Sequence, residues 1–251
     1  MIEQKRLQSE KTALRHQGVF DIMATAMRKP LVMAISAFAT LATGHFLIAP
    51  CFAGGNGDFQ FWSTAGASVD LSKNWAATFE EEFRFGDNAG HLYYHHSDLG
   101  FLYKGLANWV SLGSNYRQVF EEDISGEWRY ENRPHLNATL SGKFLGLDVS
   151  DRSRLEYRDR EVQEDTWRYR NKVTVKLPVE LTPLKLQPYF AEEVFLNLDG
   201  EAFSNNRICS GFSLNLAQNI KGEIYYVLQS TKTDDNWKDI NVLGIVLKVA
   251  F

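Results

Sequence analysis

The segment His95-His96-Ser97-Asp98 places imidazole, hydroxyl and carboxylate groups within four residues. Acyl transfer requires a nucleophile within hydrogen-bond reach of a base, and an orienting partner for that base. On a strand, neighbouring side chains point to opposite faces, so His95 and Ser97 share one face while His96 and Asp98 share the other. His95 and Ser97 are therefore the pair that an outer-wall lipid-modifying hydrolase would use. The same alternation splits the ligands that His95, His96 and Asp98 would offer a metal, which makes a poor metal site. No GxSxG elbow, HExxH helix or phosphate loop accompanies them. The residues read as polar groups at the rim of a strand, with no catalytic machinery, no metal and no cofactor expected; the hydrolase stands as the alternative.

A second pattern is more extensive. In Arg129-Tyr130-Glu131-Asn132-Arg133, Arg152-Ser153-Arg154-Leu155-Glu156-Tyr157-Arg158 and Arg168-Tyr169-Arg170-Asn171-Lys172, charge recurs at every second position. On strands this puts Arg and Glu on one face. A guanidinium offers five donors and a carboxylate accepts two at once, so such a face either interlocks with its neighbours or binds an anion. Arg129, Arg133, Arg152, Arg154, Glu156, Arg158, Arg168, Arg170 and Arg207 are the candidate lumen or solute-path residues. By parity the whole inward face carries 14 basic and 8 acidic groups. Two readings stay open: a lumen filled by hydrogen-bonded Arg and Glu, or a narrow anion-preferring route for a small acidic solute.

The elements that must position these residues are strands. From Asp58 onward apolar residues alternate with period two, most clearly at Leu243, Ile245, Leu247, Val249 and Phe251. Phe59, Phe61, Ala65, Ala67 and Val69; Leu99, Phe101 and Tyr103; Trp167, Tyr169, Val173 and Val175; and Ile224, Tyr226 and Leu228 repeat the pattern. About ten residues per strand is the length that a tilted strand needs to cross a bilayer. Short connections, such as Ser72–Asn74 and Pro178–Pro183, are expected to interleave with longer ones, such as Glu121–Glu127 and Thr231–Asp239. That rule belongs to transmembrane barrels. Trp62, Trp75, Trp109, Trp128 and Trp167 are expected near strand ends as an interfacial girdle. Glu81, Asp151 and Glu192 fall on the outward face in this register, which implies an interfacial position or a local bulge.

The fold predicted is thus all-β: a transmembrane antiparallel up-and-down β-barrel of about 10–12 strands, following a cleavable signal peptide. Eleven runs are visible, and the even-number rule of single-chain bacterial barrels predicts that one is missed or split. A secreted soluble sandwich is the competing architecture.

Composition agrees. The 251 residues are 44% hydrophobic, 13% aromatic and 23% charged, with a net charge of -4; this excludes a disordered tail, a helical membrane bundle and a basic nucleic-acid footprint. Leu31 to Ala53 is a long apolar run preceded by Arg28 and Lys29, which reads as a signal peptide over residues 27–53 with cleavage after Ala53. A retained anchor and lipidation at Cys51 are the alternatives. Residues 1–26 read as a non-native or extended segment, Met27 being a possible start, and residues 54–251 as the barrel. That barrel segment carries 21 basic against 28 acidic residues, much of the excess in the expected long loops.

The short motifs Tyr116-Arg117-Gln118-Val119, Trp128-Arg129-Tyr130-Glu131-Asn132-Arg133-Pro134, Asp151-Arg152-Ser153-Arg154, Trp167-Arg168-Tyr169-Arg170-Asn171-Lys172, Pro188-Tyr189-Phe190-Ala191-Glu192-Glu193 and Asn206-Arg207 carry a resemblance. In order and spacing the chain resembles a bacterial family of outer-membrane β-barrels known only as a domain of unknown function. The resemblance implies a barrel fold and a bacterial outer-membrane location, and no activity. The partners expected are outer-membrane lipids, the barrel-assembly machinery reading the final strand that ends at Phe251, and a small anionic solute; nucleic acid is not among them.

Overall fold

A computed structural model describes residues 57–199, 203–233 and 236–251. The signal-peptide segment 27–53, the segment 1–26 and the cleavage position fall outside the described residues. Among the described residues eleven strands follow one another: β1 (Phe59–Asp70), β2 (Trp75–Gly86), β3 (His91–Ala107), β4 (Val110–Glu122), β5 (Trp128–Phe144), β6 (Leu147–Arg160), β7 (Thr166–Lys176), β8 (Gln187–Asn197), β9 (Phe203–Ala217), β10 (Ile220–Thr233) and β11 (Asn236–Ala250). They form one closed barrel in which each strand pairs antiparallel with its sequence neighbours and β1 closes onto β11.

The strand count corrects the even-number expectation. Ten successive antiparallel reversals among eleven strands leave the first and last running in the same direction, so the closing pair is parallel. The register runs from Phe59 opposite Asn241 to Ser68 opposite Ala250. Parallel pairing places its hydrogen bonds on a slant and is slightly less stable per residue than antiparallel pairing.

The connections also differ from the expected rule. Several strands are longer than the sequence suggested, β3 and β5 reaching 17 residues each, and they absorb much of what read as loop. Nearly all of Thr231–Asp239, for instance, lies within β10 and β11. The longest connection is on the side expected to be short: Leu177–Leu186 between β7 and β8, which carries its own small bridge, Leu181 to Leu186. The β5–β6 turn is tight, with Leu145 and Gly146 both at positive φ (51° and 84°), the geometry that matches the right-handed twist of a hairpin. For brevity, the end carrying the β2–β3, β4–β5, β6–β7 and β8–β9 connections is called the loop end, and the other the turn end.

Alternation sorts the two faces as predicted. Outward side chains include Leu99 (61% exposed), Phe101, Leu136 (59%), Phe190, Ile208 and Ile224. The inward face buries charge instead: Asp98, Arg117, Glu131, Arg133, Arg154, Glu156, Arg170 and Glu193. A water-soluble β-barrel has the opposite polarity, because its interior is the apolar core. Trp75, Trp109, Trp128 and Trp167 are exposed near strand ends, as expected of a girdle, and Trp237 joins them. Trp62 does not: it is buried in the lumen beneath the guanidinium groups of Arg84 and Arg207, 3.9 and 4.9 Å from its ring centroid. Strand parity already set Trp62 opposite Phe61.

Glu81, Asp151 and Glu192 remain outward without a bulge at those positions. Each is hydrogen-bonded across to a neighbouring strand: Ser97 Oγ donates to Glu81 Oε2 at 2.6 Å, Asn171 Nδ2 to Asp151 Oδ1 at 2.5 Å, and Asn206 Nδ2 to Glu192 Oε1 at 3.0 Å. A paired carboxylate keeps its outward place without leaving its acceptors empty.

Candidate functional site: the charged lumen

Three carboxylates organise the lumen. Glu156 on β6 is fully buried and accepts from three guanidinium groups: Arg168 Nη2 at 2.6 Å, Arg170 Nη1 at 3.0 Å and Arg154 Nη1 at 3.4 Å. Register explains the grouping, since Glu156 lies opposite Arg168 on β7 and Arg154 lies opposite Arg170. Glu193 on β8 takes Arg170 Nη2 at 2.7 Å, Arg152 Nη2 at 2.8 Å and, on its other oxygen, Arg207 Nη1 at 3.6 Å. Glu131 on β5 is gripped in fork geometry by Arg158, whose Nε and Nη2 each donate at 2.7 Å, and also takes Arg133 Nε at 2.7 Å. Arg170 bridges two of these centres, so the clusters form a continuous network rather than separate pairs.

A further polar group lies against β2, β3 and β4. Arg117 Nε donates to Asp98 at 2.8 Å and its Nη2 to Glu80 at 3.2 Å. The buried rings of His96 and His135 sit beside them, His96 Nε2 at 3.3 Å from Glu80 and His135 Nε2 at 3.6 Å from Asp98. Buried charges on this scale persist only when each finds a partner.

Of the nine residues singled out from sequence, eight line the interior network: Arg133, Arg152, Arg154, Glu156, Arg158, Arg168, Arg170 and Arg207. Arg129 lies instead at the loop end, where its Nε donates to Asp123 at 2.9 Å and its side chain is 39% exposed. Asp123 also accepts from the Ser125 hydroxyl and from the backbone of Ser125 and Glu127. These bonds, with Arg129, hold its carboxyl well below the usual carboxylate range. Arg160 similarly donates its backbone N–H to Asp165, which with Tyr157 lowers that carboxyl.

Sequence reasoning ranked Arg and Glu and overlooked the inward aromatic rings. Phe195 lies under Arg170 and Arg207, at 4.5 and 4.8 Å, while Trp62, Tyr189 and Tyr225 line a cavity in the lumen. Parity carries that signal, since these rings share a face with Glu193, Arg207 or Glu223.

A cavity of about 190 Å³ lies beside the Arg–Glu network and extends toward the turn end at Glu223, Val246 and Lys248; a second, of about 200 Å³, is lined by Glu80, Asp98, Asn115, Arg117 and Arg154. Eight cationic side chains and four carboxylates line the first.

On the outer wall, His95, Ser97 and Glu81 do come together. Ser97 Oγ gives its hydrogen bond to Glu81, and His95 Nδ1 lies 3.9 Å from the other oxygen of that carboxylate. The His95 ring stacks on Phe120, centroids 4.8 Å apart, and beside Phe83 at 5.9 Å. His96 and Asp98 point into the lumen, as alternation requires.

A closed barrel with an apolar outer wall and a charged, ion-paired interior defines the class of this molecule. Within it, residues 59–240 match the model of the family described as "Protein of unknown function (DUF2490)", and the chain belongs to that family. Comparison with curated proteins finds no match to this chain.

Proposed function

We propose that the chain is an outer-membrane β-barrel of non-catalytic type whose lumen is occupied by its own ion-pair network rather than left as an open pore. The observation that carries this reading is Glu156: fully buried, and held by Arg154, Arg168 and Arg170 from two adjacent strands. A water-filled conduit would leave its wall charges hydrated, whereas here guanidinium and carboxylate groups use one another as solvent. The outward apolar face supports a lipid environment, and the alternating final strand through Phe251 supports insertion by the barrel-assembly machinery. Conductance in a planar bilayer tests the reading. The purified, detergent-folded protein is expected to give no discrete steps, while Glu156→Gln introduces them; stable anion-selective steps from the unmodified protein would establish the open channel instead.

A second reading, an outer-membrane lipid-modifying hydrolase, is favoured by one observation: Glu81 stands within reach of both Ser97 and His95. It ranks below the first because the Ser97 proton is engaged by Glu81, not by the imidazole that should remove it. Fatty-acid release from labelled phospholipid that disappears in Ser97→Ala would reverse that ranking.

A further inference from the structure

The lumen does not balance its charges evenly. Glu193 accepts from Arg152, Arg170 and Arg207, yet Lys172, its direct cross-strand neighbour, has no carboxylate within 4.0 Å among the described residues. Lys172 also lies opposite Arg152 on β6. The Arg152 Nε is buried and has no hydrogen-bond partner. Both residues line the first cavity, where cationic side chains outnumber carboxylates by eight to four. Unpaired donors and uncompensated positive charge enclosed in a protein are costly, and an anion supplied from outside removes both costs together.

We infer that this cavity is a binding site for a small dianionic oxyanion of the phosphate class, held between Lys172 and Arg152. Charge argues for a dianion, because one monovalent ion leaves most of the excess in place. Donor geometry argues for an oxyanion: Arg152 keeps a free Nε–H beside the Nη2 that it gives to Glu193, and Lys172 adds a compact point charge with three donors, a set that separate oxygens of one anion can share. Size sets the upper limit. At about 15 Å³ of such volume per water molecule, about 190 Å³ holds a phosphate or small phosphate ester with several waters, and no polymer. The loop-end carboxylates Asp123, Glu161, Glu164 and Asp165 lie away from the cavity, so the acidic rim and the basic chamber do not compete. The site does not depend on whether the barrel conducts.

The test is calorimetric titration of inorganic phosphate into the full, detergent-folded barrel, with ionic strength held constant by sodium chloride. One saturable site per barrel is expected, and Lys172→Met or Arg152→Met should each weaken it at least tenfold. Lys172→Arg keeps the charge and should retain binding, which separates loss of the site from loss of the fold. Lys104→Gln, which alters a turn-end cation outside the cavity wall, should leave binding unchanged. Absence of saturable binding, indifference to both methionine variants, or equal weakening by Lys104→Gln would each overturn the inference. Conductance is a separate readout, so a silent barrel that binds phosphate and a conducting barrel that does not are distinguishable.

Discussion

The ring of Tyr225 on β10 lies so close over Gly244 on β11 that a Cβ added to that glycine would sit 2.0 Å from Tyr225 Cζ. The two residues are direct register partners. The ring therefore occupies the space where any larger residue would place its side chain, and it covers one strand of the closing pair.

Gly244→Ala should accordingly destabilise the barrel by ~1–3 kcal/mol, the usual cost of overpacking a filled site. Adding Tyr225→Ala should recover part of that loss by freeing the space. Urea midpoints of the folded-to-unfolded gel shift report both effects.

Glu156→Gln keeps the shape of the side chain and removes its charge. Arg154, Arg168 and Arg170 then surround a neutral amide, and breaking a buried ion pair from one side costs ~3–5 kcal/mol. Denaturant unfolding should show that loss, and Arg168→Met combined with Glu156→Gln should cost less than the two single changes added together.

Substitution at Leu136 distinguishes an outer wall that meets lipid from one that meets water. It is 59% exposed on the outer wall. Leu136→Arg in a bilayer should cost ~2–4 kcal/mol near the midplane, whereas at an exposed site in water the change should stay within ~0.5 kcal/mol. Refolding into lipid vesicles gives the answer, and a negligible cost would count against membrane insertion.

The β4–β5 connection should respond to acid. The Asp123 carboxyl is lowered by Ser125, Arg129 and backbone donors, so its bonds contribute fully above the ordinary aspartate range and weaken as pH falls toward the depressed value. Proteolysis within residues 123–127 should rise at strongly acidic pH, and Asp123→Asn should show the raised susceptibility already at neutral pH. Equal cleavage of both proteins at every pH would remove Asp123 from that role.

Much of this architecture is legible in the alternation. Leu99, Phe101, Ile224, Tyr226 and Leu243 all occupy the outward face that their spacing indicates, because a strand has one repeat and a single residue of slip would invert it. Strand ends are less legible. Residues such as Lys232 and Asn236 extend a hairpin with polar groups on both faces, where no apolar contrast marks the boundary. Partner choice is not legible either: that Arg170 joins Glu156 to Glu193 depends on the registers of β6, β7 and β8 together, which no one segment encodes. At Trp62 parity outweighs residue type: the ring follows the inward face of β1 and not the interfacial belt that its chemistry suggests. In sequence Lys172 is one basic residue among many; only the geometry shows that it has no carboxylate within 4.0 Å among the described residues.

The parallel seam has a consequence for the chain as a thread. Phe59 begins β1 beside Ala89, its carbonyl accepting from that loop residue, while Ala250 ends β11 against Asn219 in the β9–β10 turn. The polypeptide enters the wall at one rim and leaves it at the other. In a lipid sheet, whatever precedes Phe59 and whatever follows Ala250 would face different compartments, whereas a barrel with an even count returns both to the same side. Such a molecule has a direction, and epitopes at its two ends would be reached by antibodies from opposite sides.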